Sequence, residues 1–166
     1  MTSKIETYYL KTNQGVPNHP TLPVLFYPSA MTNKSSAEII DILAQHDWSN
    51  AWVDGILDQH HFHDNTHEVL VVQAGQANVQ IGGPEGMSLQ IKQGDVLVLP
   101  AGTGHKRLQA SNEFKVIGAY PGGSDYKMCY PTEPIAEATF EQIKKVALPS
   151  QDPVFGPEGP LLEYWH

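Results

Sequence analysis

Between residues 51 and 121 the apolar positions fall in short runs rich in Val, Ile, Leu and aromatic residues, each bounded by glycine or polar residues. The runs are 52–57, 59–63, 68–73, 77–81, 87–92, 95–100, 105–108 and 114–120. Such regular short runs predict β-strands arranged as a sandwich or barrel. Gly82-Gly83-Pro84-Glu85-Gly86 reads as a turn, and Gly75-Gln76 as the close of another hairpin. Two further strands are predicted at 7–10 and 22–27, separated by a Pro/Asn/Gly loop. One segment has helical spacing instead. Ser35-Ser36-Ala37-Glu38 fits a capping box, and Ile39, Ile40, Leu43 and Ala44 form an apolar stripe behind it that ends near Trp48. This helix is expected to cover one side of a sheet. The tail, 131–166, holds six of the thirteen prolines and a second short helix at 137–145. It reads as an extended arm wrapped on the core, because Leu161, Leu162, Tyr164 and Trp165 are costly to expose.

Composition narrows the class. The chain has 166 residues, 40% hydrophobic and 17% charged, with 14 glycines and 13 prolines. That fits a single all-β domain over residues 1–166 with a strand-rich core at about 51–121. A net charge of −8 argues against a nucleic-acid or anionic-membrane partner. The polar start, Met1 to Thr7, has no apolar leader, and no run approaches the roughly 18 apolar residues of a membrane span, so a cytoplasmic protein is expected. Cys129 is the only cysteine, which excludes an internal disulfide and a cysteine-rich zinc site; it reads as a small packed side chain.

The histidines carry the chemistry. Four of the eight, His60, His61, His63 and His67, lie within residues 60–67. Strand alternation directs His61 and His63 to one face and His60 to the other. A turn then returns Glu68 to the face of His61 and His63, His67 points away, and His105, opening a later strand, adds a third imidazole. Three neutral nitrogens and a carboxylate suit a divalent ion among Fe, Mn, Co, Ni, Cu and Zn.

These positions also resemble the two motifs of the cupin superfamily. The first motif is matched by Gly55, His61, His63, Glu68 and Gly75, the second by Gly94, Pro100, Gly102 and His105. The Asn that ends the second motif is replaced by Gln109. The stretches 67–70, 100–106, 118–121 and 152–165 are similar to the YjlB-like family of small bacterial cupins. The resemblance implies a cupin jelly roll of the RmlC-like, double-stranded β-helix type, a metal in its mouth, and a homodimer. It leaves the reaction open.

Around that site, Arg107 shares the nominal face of His105, where it clamps a substrate anion or pairs with an acid at the rim. Gln59, counted from His61, and Gln73, counted from Glu68 through Leu70 and Val72, are candidate cavity residues; Tyr120 is a candidate general acid or a core aromatic. The first functional reading is a metal-dependent enzyme, dioxygenase-like or isomerase-like, acting on a small polar chelating molecule. The alternative is a binding or sensing protein that holds such a ligand unchanged.

Overall fold

A computed structural model describes residues 4–166; Met1 to Ser3, part of the polar start, lie outside the described residues. In chain order the elements are β1 (Glu6–Tyr8), β2 (Val24–Tyr27), α1 (Ser36–Gln45), β3 (Trp48–Asp54), β4 (Glu68–Ala74), β5 (Gln76–Ile81), β6 (Met87–Lys92), β7 (Val96–Leu99), β8 (His105–Ala110), β9 (Lys115–Pro121), α2 (Glu137–Lys145) and α3 (Leu161–Tyr164). The strands form a six-stranded sheet, β1-β2-β7-β4-β9-β3, and a three-stranded sheet, β6-β5-β8, antiparallel throughout.

The larger sheet is buried on both faces, which is why its central strands read as unbroken apolar runs. Alternation divides Val69-Leu70-Val71-Val72 and Val96-Leu97-Val98-Leu99 between two cores. Leu70, Val72, Leu97 and Leu99 face Val79, Ile81 and Ile91 of the smaller sheet. Val69, Val71, Val96 and Val98 face Ile39 and Leu43 of α1, together with Leu161 and Trp165 of the tail. Ser35 caps α1 as its sequence implies: the hydroxyl accepts from Glu38 N–H at 3.1 Å and the Glu38 carboxylate accepts from Ser35 N–H at 3.0 Å. The helix stops at Gln45 rather than Trp48, because Asp47 turns the chain with φ +64° and Trp48 already begins β3.

The tail is tied down at Asp152, which is fully buried. Its carboxylate accepts from Tyr27 Oη at 2.6 Å and from the backbone N–H groups of Val154, Phe155 and Leu161. Trp165 Nε1 donates to Pro23 O at 2.9 Å. Leu162, expected to need cover, stays 38% exposed.

Three expectations are corrected. The sheets do not close into a barrel: β1 and β3 end one sheet, β6 and β8 the other. The segment 59–63, expected as a strand, is irregular chain that meets β8 only at the isolated bridge His61–His105, so no strand joins the two sheets there. Nor does Gly75 close a hairpin. β4 pairs with β7 and β9 while β5 pairs with β6 and β8, so Gly75 is the point where the chain crosses between sheets. Its φ of +73° and the Phe114 backbone, 2.9 Å from where a Cβ would sit, both demand glycine.

Candidate metal centre

Glu68 opens β4 on the inner face of the larger sheet, and His105 opens β8 on the smaller one. His61 and His63 come from the irregular chain between β3 and β4. The donor atoms of His63, Glu68 and His105 lie within 4.8 Å of one another, all three side chains buried. Glu68 Oε1 is 3.3 Å from His105 Nε2 and 3.5 Å from His63 Nε2. His61 stands beside this trio and outside its mutual distance, with ring centroids 4.1 Å from His105 and 6.3 Å from His63.

Each imidazole is held by the main chain. His61 Nδ1 is 2.8 Å from Gln59 O, His63 Nδ1 is 2.9 Å from Lys127 O, and His105 Nδ1 is 3.1 Å from Thr103 O. A carbonyl oxygen only accepts, so each Nδ1 carries the proton and donates it. In the neutral ring the lone pair then lies on Nε2, the atom that His63 and His105 turn toward Glu68.

Glu68 is asymmetric. Oε2 accepts from Tyr120 Oη at 2.8 Å, and Tyr120 Oη in turn accepts from Trp52 Nε1 at 2.7 Å. Oε1 is buried and makes no hydrogen bond. An anionic oxygen left unpaired costs roughly 1–3 kcal/mol or more, and two lone pairs aimed at it add repulsion. A cation between the three atoms removes both penalties, so the residues fit a divalent ion in donor type, tautomer and charge.

The same demand acts on the ionisation of these groups. Burial alone would raise the Glu68 pKa, but His105 and His63 hold it below the ordinary carboxylate range. Burial pulls His63 down, and the adjoining Glu68 carboxylate outweighs it, so its pKa is raised. His61 is lowered to about 3 by burial and by neighbouring His105. Tyr120 is raised, by burial and then by the Glu68 charge, and stays protonated as the donor to Glu68.

The trio sits on the floor of a cavity of about 270 Å³. Its walls include Trp52, Ile56 and Leu70, and its mouth Leu57, Tyr126 and Met128. Trp52 lies flush on β9 because residue 118 is glycine; a Cβ there would come 2.3 Å from the indole. Tyr126 stacks on Tyr120, with centroids 4.9 Å apart and planes at 22°, and meets the His63 ring edge-on at 5.0 Å.

Of the other candidates, Tyr120 lines the cavity. Arg107 does not; its guanidinium lies 3.6 Å from the exposed Asp58 carboxylate. Gln59 is exposed and contributes only its backbone carbonyl. Gln73 is absent from the lining: a period-two count from Glu68 passes through Leu70 and Val72 and skips it, and the β4–β9 register shifts between Val72 and Ala74. His60 Nδ1 is buried without a partner and lies outside the lining, and Cys129 is half-buried in the loop after β9. His67 is fully buried elsewhere: its Nδ1 accepts from Ala101 N–H at 2.9 Å, which places the proton on Nε2, 3.1 Å from Ala147 O. Sequence reasoning missed Tyr126, Met128 and the Lys127 carbonyl. They come from a non-periodic loop, and only the cluster of aromatic and sulfur side chains in 126–130 marked it.

Residues 55–117 match the Cupin family profile. Over 165 residues the chain is 42% identical to the uncharacterized protein YjlB of Bacillus subtilis (strain 168), with 99% of each chain covered. Among solved structures, an acireductone dioxygenase from Bacillus anthracis with a cadmium ion in its active centre is 21% identical, at a TM-score of 0.39; 51% of this chain and 58% of that one are covered. A vicilin from tomato, Solanum lycopersicum, is 15% identical, with 74% and 33% covered and a TM-score of 0.41. No helix among the described residues is long and apolar enough to cross a membrane.

Proposed function

The chain belongs to the YjlB-like cupins, and from that premise we propose that it is a metal-dependent enzyme acting on a small molecule that chelates the ion. His63, Glu68 and His105 hold a divalent transition metal, Fe, Mn, Co, Ni, Cu or Zn, with His61 as the fourth ligand. The observation that carries this reading is the unpaired Glu68 Oε1 facing two imidazole Nε2 atoms whose tautomers are fixed by carbonyls.

When bound, the ion supplies Lewis-acid polarisation of a substrate oxygen, in a dioxygenase-like or isomerase-like reaction. The rest of the work belongs to the protein. The carbonyls of Gln59, Thr103 and Lys127 orient the rings. Tyr120 keeps Glu68 turned so that Oε1 faces the imidazoles, and its phenol, in the same cavity, is the group we assign to deliver a proton to bound substrate. Trp52, Ile56 and Leu70 restrict bulk water. Two chains pairing through the free edge of β3 is the oligomer we propose, a state that light scattering reads directly.

Elemental analysis of tag-free protein tests the site. Near-stoichiometric metal in the wild type that is lost in His63→Ala supports it; substoichiometric metal in both rejects it.

A further inference from the structure

Four residues at the cavity mouth are apolar yet well exposed: Val53 at 43%, Leu57 at 45%, Tyr126 at 43% and Met128 at 37%. Scattered exposed apolar groups are ordinary, but four of them on the lining of one polar-floored cavity mark a surface suited to an apolar ligand. Charge points the same way. Among the described residues no Lys or Arg lines the cavity. The cations nearby are engaged elsewhere, Arg107 with Asp58 at 3.6 Å and Lys127 with Asp64 at 3.9 Å. The carboxylates of the lining are Glu68 on the floor and the exposed Asp54 toward the mouth, so away from the ion the lining offers an anion no fixed cation and one fixed negative charge.

We infer that the cavity takes a ligand that chelates at one end, giving up a hydroxyl proton to solvent as it does so, and is apolar and uncharged at the other, and that it disfavours a carboxylate or phosphate at that second end. Only the chelating end rests on the metal reading; the apolar end rests on the mouth and walls. The size fits a single-ring molecule, since about 270 Å³ is about nine water-sized volumes of about 30 Å³ each. Tyr126 is the chief specificity-determining residue: exposed at the mouth, it also stacks on Tyr120 and meets His63 edge-on, so it ties the mouth to the floor.

Two probes sharing adjacent hydroxyls, 4-methylcatechol and 3,4-dihydroxybenzoate, differ in a methyl against a carboxylate. Calorimetric titration of the zinc-loaded full chain at neutral pH, where zinc is redox-silent, is expected to show the methyl compound binding at least about tenfold tighter. Tyr126→Ala is expected to weaken it about tenfold with zinc content unchanged, and Met128→Lys to bring the two probes within about threefold. Equal or tighter binding of the carboxylate by the wild type overturns the inference. Zinc content, measured on the same samples, reports on the metal reading separately. Should the wild type hold no zinc, p-cresol against 4-hydroxybenzoate by saturation-transfer NMR reads the same preference without chelation: stronger transfer to p-cresol sustains the inference, and equal or weaker transfer overturns it.

Discussion

His67 and Glu68 are neighbours on the chain, both essentially inaccessible, yet they belong to opposite sides of the larger sheet. On the outer side, His67 has both ring nitrogens matched by the backbone, at Ala101 and Ala147, and its ring lies 4.8 Å from that of Trp165. On the inner side, His61, His63 and His105 each have Nδ1 matched by a carbonyl, and Glu68 Oε1 is left unmatched. A buried histidine with two protein partners fastens architecture; one with a single partner presents a lone pair. Burial alone does not separate them, but a count of partners does.

The sharpest break between the two sides comes from His63→Ala. Losing a direct ligand exceeds the ten- to hundredfold cost of losing a ligand's support, so metal affinity is expected to fall roughly a thousandfold, about 4 kcal/mol, with the fold kept. Competition against a chromogenic chelator measures it. The mirror variant, His67→Ala, strips partners from Ala101 N–H and Ala147 O and opens a cavity against Trp165. It is expected to cost about 3 kcal/mol in urea unfolding and leave metal content unchanged.

His67 also gives the outer side an acid sensitivity. Burial, then the adjoining His19, lowers its pKa from 6.5 to about 3. The unfolded chain therefore binds this proton before the folded one does, and stability from this residue is full above about pH 6.5 and is lost as pH falls toward 3. The loss reaches about 2 kcal/mol near pH 5. Unfolding of His67→Gln across that range is expected to show a flatter acid limb; an unchanged limb assigns the sensitivity elsewhere.

Tyr120→Phe probes the support of the inner side. It removes the donor to Glu68 Oε2 and is expected to lower metal affinity about tenfold, with about 1 kcal/mol of stability. Smallest is Arg107→Ala. Its partner Asp58 is 70% exposed, so stability is expected to change by less than about 0.5 kcal/mol and metal content not at all.

What was legible in the chain followed from local rules. The Ser35–Glu38 box marked α1 and glycines bracketed the strands; of the four residues expected together, His63, Glu68 and His105 converge while His61 stands beside them, in a segment that is not the strand its alternation assumed. What was not legible depended on partners distant in sequence. Gly75 looks like any hairpin glycine until the pairing of β4 with β7 and β9 is known. Alternation failed at Gln59 because 59–63 is not a strand; for Arg107 the sequence offered a substrate anion or an acid, and the Asp58 carboxylate, 3.6 Å away, bears out the second. The mouth is furthest from any sequence rule, since Tyr126 and Met128 owe their places to a loop that bridges back to Phe62 through Cys129.

The three imidazoles hang from main-chain carbonyls, of Gln59, Thr103 and Lys127, rather than from side chains. Every amino acid carries that group, so the identities at these positions are free to drift while loop length is not. Inserting one residue between Tyr126 and Cys129 would slide a different carbonyl under His63, an error that no substitution at Lys127 short of rerouting the chain would reproduce.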